Sequence, residues 1–527
     1  MATHTLEILL SLLVAVAGLA LVARKIGVAY PILFVIAGLV LGFIPGLPRV
    51  RLDPKLVFLL FLPPLLYPAA SLRTSWRDFR TNLRPISMLA IRLVLVTTVV
   101  MAFVAHKLTG LPWAAAFVLG AIVSPPDAVA ATAITERLRV PRPIITILEG
   151  ESLVNDATAL VLYRFAVAAA VTGTFSLALA GVEFVLVSVG GILIGATIGW
   201  LVSVVQGRLD DPPVQTTLSL LTPFAAYVAA DKAGASGVLA VVTAGLYLGW
   251  RSPEILHSRT RFQLVPVWQM VVFLLNGLIF ILIGLQLPQV LENVSGQSMP
   301  KLCGQAALLN TALILVRFIW VFATRHLPPL LGQSPAKWSP HPNWRHTAIV
   351  AWTGMRGVVS LAAAMALPLA VSNGSPFPGR DLVLFHTFAV ILVTLVLQGL
   401  SLPVIIRWLG VVDDGTIEKE ELLARVRAVK AALSRLNEFK GKANERALER
   451  LRAEYENRVG ELESDVSAAD HSSQGSQAMT YERLVAEALV AERRTILQLR
   501  NEQLINDEVL RKIQRDLDLA ELRLNRS

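Results

Sequence analysis

The chain has 527 residues, 54% of them hydrophobic and only 16% charged, with a mean hydropathy of +0.60. A soluble domain carries roughly a quarter charged residues, so the composition excludes one and requires a membrane protein. The formal charge of +10 would suggest nucleic acid in a soluble chain. Here the sequence beyond about residue 411 is slightly acidic, so the excess sits among the apolar runs, where basic loops set topology and meet anionic lipid.

A single cysteine, Cys303, excludes an intramolecular disulfide and a cysteine-based metal site, and the eight histidines show no ligand spacing. No nucleophile–base pair or phosphate-binding loop appears, so neither an enzyme nor a cofactor is indicated. The apolar runs are about 20 residues long, enough to cross a bilayer as helix. The short alternating segments of a β-barrel are missing. The start, "MATHTLEILLSLL", has no basic region before its apolar run and reads as a retained first span.

About thirteen spans are expected, centred near residues 15, 38, 62, 96, 122, 158, 192, 223, 242, 276, 312, 358 and 395. Their connections alternate in charge. One side collects Arg24 and Lys25, Arg73 to Arg84, Arg137 to Arg142, Arg251 to Arg261, then Arg325, Lys337 and Arg345. The other has mainly Arg49, Arg51, Lys55, Lys107 and Arg380, the cluster at 49–55 running against the rule. This bias places the N-terminus outside and the C-terminus in the cytoplasm.

Two spans are interrupted. "AAAFVLGAIVSPPDAVAATAI" carries Pro125, Pro126 and Asp127 at its centre, removing two backbone donors and disfavouring helix at Ser124. "AWTGMRGVVSLAAAMALP" carries Gly354, Arg356 and Gly357 early in its run. Paired interruptions in the two halves of a transporter point to a binding site lined by unwound backbone.

Between them lies "ILEGESLVNDATALVLYRFAVAAAV", Ile147 to Val171, with Glu149, Glu151 and Asp156 inside an apolar run. A carboxylate at mid-membrane costs on the order of 3 kcal/mol, so each needs a partner or a purpose. On a helix, Ser152 and Asp156 share a face, with Glu149 nearly on the same stripe. Glu151 and Asn155 pair on an adjacent one, and Glu151 lies about 140° from Asp156. Asp156, the Ser152 hydroxyl, a backbone carbonyl at the Pro125–Pro126 break and water would make an oxygen nest for a small hard cation, with Asp127 joining directly or through water. Burial without a fixed cation disfavours the charged form of Asp156, which would then take either a proton or a cation. Glu151 is expected in a buried ion pair with Arg317 or Arg356. Glu149 reaches toward the interface, Arg92 and Arg164 are placed to snorkel, and His386 reads as packed. Gly191, Gly195 and Gly199 form a close-packing face, within the chain or between two copies.

After Leu409 the sequence becomes charged with helical periodicity, broken by the polar linker "HSSQGSQAM". Residues 1–411 are therefore expected to form the membrane domain and 412–527 a cytoplasmic helical tail whose leucine stripes make a hairpin or dimer seam.

With these residues in view the chain resembles the monovalent cation/proton antiporters of the first family, the bacterial NhaP-type antiporters and animal sodium/proton exchangers. The resemblance rests on "GESLVNDATALV", "YPILFVIAGLVLG", "FLPPLLYPAA", "SPPDAVAATAI", "NGLIFILIGLQLP", "TGMRGVVSLAAAMALP" and the tail segment "AERRTILQLRNEQLINDEVLRKIQRDLDLAELRL". It implies an all-α membrane protein with inverted repeats, two unwound helices crossing at the ion site, and a homodimer in the plasma membrane. It also implies exchange of sodium for protons, one for one, with lithium or potassium as further candidate ions. By this resemblance Asp156 carries ion and proton, and Ser152 is a ligand. Asn155 holds the unwound segments, the Pro126 carbonyl and Asp127 serve the ion, and Glu151 pairs with Arg317 before Arg356. Pro126 stands where the family often has Thr, losing a hydroxyl, and Pro68 stands where it commonly has an acid. A potassium/proton antiporter of the same build is the nearest alternative. A proton-coupled organic anion symporter would need a cation at the unwound site, for which Arg356 is the candidate, and a channel would need a carbonyl filter or charged ring that is not found.

Overall fold

Apolar sequence in a bilayer has no water to satisfy its backbone, which leaves helix as the conformation that pairs every N–H and C=O within one segment. In the computed structural model the described residues accordingly form helices and no strand, with one isolated bridge between Ala370 and Pro376. The structure describes residues 2–26, 29–44, 54–138, 140–173, 176–294, 296–330, 343–372, 374–411, 416–438 and 445–470, with Glu492, Glu502 and Leu517 besides. The 49–53 part of the basic loop, Arg139, Lys337, the polar linker and most of the last predicted helix lie outside these residues.

The chain divides into two compact units, Met1–Asp413 and Asp414–Ser527. The first opens with α1 (Ala2–Ile26), α2 (Tyr30–Gly42) and α3 (Pro54–Pro68), the last widening into a π-type turn over Ala69–Arg73. Short α4 (Trp76–Thr81) and α5 (Leu83–Ser87) lead through another wide turn into α6 (Val94–Thr109). Then come α7 (Trp113–Val123), α8 (Ala128–Arg137), α9 (Arg142–Thr172) and α10 (Leu177–Gln206). After α11 (Pro212–Lys232), α12 (Gly237–Ile255) and α13 (Ser258–Leu285) follow α14 (Leu287–Asn293), α15 (Met299–Leu330), α16 (Trp344–Trp352) and α17 (Val358–Met365). The unit ends with α18 (Arg380–Val393), a wide turn over Thr394–Gln398, and α19 (Gly399–Leu409).

Seven continuous segments among the described residues are long and apolar enough to cross a membrane: Leu83–Thr109, Trp113–Thr135, Arg142–Thr172, Ala180–Gln206, Arg259–Asn293, Met299–Arg325 and Arg380–Leu409. Tyr30–Gly42 and Phe58–Arg73 are apolar but shorter. The interruption at Pro125–Pro126 leaves its segment within a continuous span, whereas the break around Arg356 divides α16 from α17 into pieces too short to qualify.

Burial concentrates around α9. Ile144, Ile147 and Leu148 pack in a cluster with Phe34, Phe280, Met355 and Phe388. Leu153 and Ala157 belong to a second cluster with Tyr67, Val241 and Trp268. The helix carrying the three acids is thus held on several sides by apolar side chains, which fixes where its polar stripes point.

The glycine face of α10 is used within the chain. A Cβ at Gly195 would come within 2.8 Å of the Ala240 Cα, one at Gly191 within 2.6 Å of the Ser236 carbonyl oxygen, and one at Gly199 within 3.2 Å of the Ala244 Cα. Three helical turns of α10 therefore lie backbone to backbone on α12, the contact that small residues permit in a membrane. In the second unit, α20 (Thr416–Asn437) and α21 (Glu445–Asp470) are joined by an ion pair between Lys430 and Glu463 at 2.6 Å.

Gly195→Leu should therefore lower the stability of the detergent-solubilised protein by about 1–3 kcal/mol, the usual cost of overpacking, seen as a lower midpoint in thermal unfolding. Gly181→Ala, on the same helix where a Cβ meets nothing within 4 Å, should leave the midpoint unchanged or raised. Equal melting of both variants would contradict the α10–α12 contact.

Candidate functional site

Two helix interruptions meet beside α9. The first, residues 124–127, separates α7 from α8; the second, residues 353–357, separates α16 from α17. They are tied together by the Asp127 N–H, which donates to the Met355 carbonyl at 2.7 Å. Four helix ends therefore come together in a buried region, each with backbone groups that no intrahelical bond can satisfy.

The N-terminal ends of α8 and α17 share one acid. Asp127 Oδ1 accepts from the Val129 N–H at 2.9 Å and Oδ2 from the Val358 N–H at 3.4 Å. A carboxylate there satisfies orphan donors and complements the positive ends of two helix dipoles. Gly357 permits this, because a Cβ there would overlap the Asp127 carboxylate.

The C-terminal ends are covered by arginines. Arg356 donates to the carbonyls of Val123 (2.9 Å), Ser124 (3.4 Å) and Gly354, closing the end of α7. Its own N–H donates to the Thr394 hydroxyl at 3.0 Å, on the wide turn after α18, while the Ser360 hydroxyl reaches the Ile122 carbonyl at 2.8 Å. Arg317, from α15, donates to the Val350 carbonyl near the end of α16 through Nε (3.2 Å) and Nη2 (3.0 Å). Its two terminal nitrogens also form a two-pronged pair with Glu151, at 2.5 and 2.8 Å. Both partners are 2% exposed at the side chain. Glu151 is thus paired with Arg317, and Arg356, the second candidate, is instead a cap.

The face of α9 turned toward the first break carries the remaining polar groups. Asn155 Nδ2 donates to the Pro126 carbonyl at 2.7 Å, and the Ser152 hydroxyl accepts from the Ala128 N–H at 3.4 Å. The Pro126 carbonyl, read from the sequence as an ion ligand, here holds Asn155. Asn155 Oδ1 is buried with no hydrogen-bond partner. Asp156 is buried, feels the negative charge of Asp127, and receives neither a hydrogen bond nor an arginine or lysine among the described residues.

Elsewhere, Glu149 is buried on α9, and Arg164 meets Asp231 at 3.5 Å with both more than half exposed. His386 is fully buried against Phe385, with neither ring nitrogen hydrogen-bonded. Thr394, Ser360 and Met355 were not singled out in the sequence and had no local signal there, whereas Gly357 was marked only as part of the second interruption, without its contact to Asp127.

The family description "Sodium/hydrogen exchanger, transmembrane" matches residues 9–408. The chain belongs to the sodium/hydrogen exchanger family. It is 37% identical over 525 residues to an uncharacterized Na(+)/H(+) exchanger of Mycobacterium tuberculosis, covering 98% of this chain and 96% of that one. It is 34% identical to the sodium, potassium, lithium and rubidium/H(+) antiporter of Bacillus subtilis, over 82% of this chain and 65% of that one. The sodium proton antiporter MjNhaP1 of Methanocaldococcus jannaschii shares the fold, with a TM-score of 0.60 at 20% identity over 77% of this chain and 98% of that one. The crossing of the two breaks thus belongs to an exchanger-family membrane protein, and cation/proton antiport is the activity it has to be read against.

Removing one partner of the Glu151–Arg317 pair leaves a buried charge alone, at a cost of about 3–5 kcal/mol. Glu151→Ala and Arg317→Ala should each lose most folded protein in size-exclusion chromatography. The double variant Glu151→Gln, Arg317→Met should recover part of it, and a double variant as damaged as either single would argue against direct pairing.

Proposed function

We propose that this chain exchanges sodium for protons across the plasma membrane, one for one, by alternating access, with both ions competing for Asp156. The observation that carries this is the division of charge at the crossing. Arg317 and Arg356 are engaged with Glu151 and with helix-end carbonyls, which leaves Asp156 as a buried acid without a counter-cation among the described residues. A carboxyl in that position is stable when protonated or when holding a cation, and not otherwise. Ser152 and Asp127 stand beside it as further oxygen ligands, directly or through water, and the second lone pair of the Pro126 carbonyl is available to the same ion.

Among the described residues, thirteen helical segments between Ala2 and Leu409, counting broken ones once, and the two interruptions beside α9 support a reading with thirteen spans and two unwound crossing helices; inverted repeats are part of the same reading. The distribution of arginine and lysine supports a cytoplasmic C-terminus. The unit beyond Asp413, with its α20–α21 ion pair, fits a regulatory or dimerisation tail on a homodimer. Potassium is the second reading, favoured by the name of the Bacillus subtilis relative, which includes sodium, potassium, lithium and rubidium. Organic anion symport loses its support, because the Arg356 guanidinium it would need is occupied by carbonyls.

The decisive assay is dissipation of a pH gradient in proteoliposomes on adding sodium, lithium or potassium. Asp156→Asn should abolish it in correctly inserted protein, and exchange surviving that change would sink the mechanism. Competition also sets a sign. Where the proton dominates the site, the apparent KM for sodium should rise as pH falls, by up to about tenfold per pH unit. A KM independent of pH would separate the two ions onto different sites. One-for-one exchange should be unaffected by imposing a membrane potential, and a potential-dependent equilibrium would exclude it.

A further inference from the structure

Between α6, α7, α9 and the start of α10 lies a cavity of about 680 Å³. Its size falls within the range of small-molecule sites, roughly 300–1,000 Å³. Its walls include Leu95, Val99, Phe117, Phe165, Ala169 and Phe184. Among the described residues the one hydroxyl on its lining side chains, that of Thr98, donates to the Val94 carbonyl at 2.8 Å and so makes no demand on a ligand. A cavity of this polarity does not retain water and accepts an apolar guest.

The helices that wall it are four of the seven described segments long and apolar enough to cross a membrane, so an opening on their outer faces would meet hydrocarbon. Leu95 and Val99 are 40% and 55% exposed along that opening. One end carries the marks of a membrane interface. Trp113, which lines the cavity at the start of α7, stacks on His106 at 4.1 Å and packs near Phe103 at 6.4 Å. Lys107 sits over Phe103 at 6.0 Å. An aromatic belt with a cation suits the phosphate of a phospholipid headgroup at the depth where headgroups lie.

The space exists because the facing walls of α9 and α10 are built of small residues. Ala166, Ala169, Ala180 and Gly181 line it, and a Cβ at Gly181 would meet nothing within 4 Å. On the other side α10 is drawn onto α12 by Gly191, Gly195 and Gly199, so it does not close on α9.

We propose that this cavity is a phospholipid site. One acyl chain lies between Phe117, Phe165 and Phe184, and the headgroup phosphate is drawn toward Lys107. The guest rests on α9 at Ala166 and Ala169, about 15–20 Å of helix beyond Asp156. Nothing in this argument depends on which ions the protein exchanges.

The test uses the full chain in vesicles of phosphatidylethanolamine and phosphatidylglycerol. They contain a trace of phosphatidylethanolamine whose acyl chain bears a photoactivatable diazirine. Mass spectrometry of the digested protein should find label on Leu162–Ala169 and Gly181–Phe184 about tenfold above that on the exposed face of α15 at Leu308, Leu315 and Ile319, the advantage of roughly two fully buried methylenes. Gly181→Phe should fill the cavity and remove that excess, while Gly181→Ala, which adds only a methyl group, keeps it. Lys107→Gln should lower the excess about fivefold, as expected for one basic residue at a lipid surface. Label spread evenly over all lipid-facing helices, meaning annular lipid only, would overturn the site. So would an excess that Gly181→Phe leaves intact. An excess indifferent to Lys107→Gln would overturn the headgroup assignment.

Discussion

The arrangement on which the rest of this molecule depends is the meeting of four helix ends in a buried region. Each break exposes backbone donors on one side and acceptors on the other, and in a low-dielectric interior each unsatisfied group costs several kcal/mol. The chain answers with three charged side chains. Asp127 takes the two N-terminal ends, Arg356 the end of α7, and Arg317 the end of α16. Glu151 then balances Arg317. Glu151 is matched with Arg317, and Asp127 and Arg356 are each held by backbone groups, so neither arginine of the crossing is committed to Asp156. The acid proposed to carry the ions is the one whose charge the protein itself leaves unbalanced.

That balance explains how much of the site was legible in the sequence. Consecutive prolines before an acid, and an arginine between glycines, are local signals, and both breaks fall where those residues stand. The i,i+4 geometry of α9 separated Glu151 from Asp156 correctly in direction, because helical periodicity alone decides which residues share a face. What could not be read is the division of labour between partners far apart in the chain. Arg317 and Arg356 both appeared as buried arginines available to Glu151. Only the fold sets Arg356 against the carbonyls of Val123 and Ser124, 233 and 232 positions away. Asp127 likewise appeared as an ion ligand, and its engagement by two backbone N–H groups depends on Val358 arriving from the second break. Span counting met a similar limit: where a segment is broken by polar or glycine residues, hydropathy marks an apolar region but not its continuity.

The surroundings of α9 are unequal, and this has a mechanical meaning. Toward its middle it is held by large buried side chains such as Phe280, Met355, Phe388 and Trp268. Beyond Asp156 one side of the helix still packs, Tyr163 and Ala166 joining a third cluster with Met101 and Leu119, while Leu162, Phe165 and Ala169 line the open space between α9 and α10. A helix gripped on one side and open on the other has room to shift toward the open side, which suits a proposed cycle in which the ion site must face each side in turn. The same looseness requires something to fill the gap, and in a bilayer the molecule at hand is lipid.

The identity of residue 155 bears most directly on stoichiometry. Asn155 uses its amide nitrogen to donate to the Pro126 carbonyl, fixing α9 to the first break at 2.7 Å. An ionised carboxylate at that position has no donor and would face the carbonyl oxygen with a like partial charge. It would also set a second negative charge one residue from Asp156, with both basic groups of the crossing already engaged. Asparagine therefore serves two ends at once: it supplies the donor that the broken helix needs, and it keeps the number of uncompensated charges at the site to one. With a single such charge, one sodium or one proton neutralises the site completely. In the proposed exchange the loaded site is then neutral whichever ion it holds, and this is the physical ground on which one-for-one exchange is proposed.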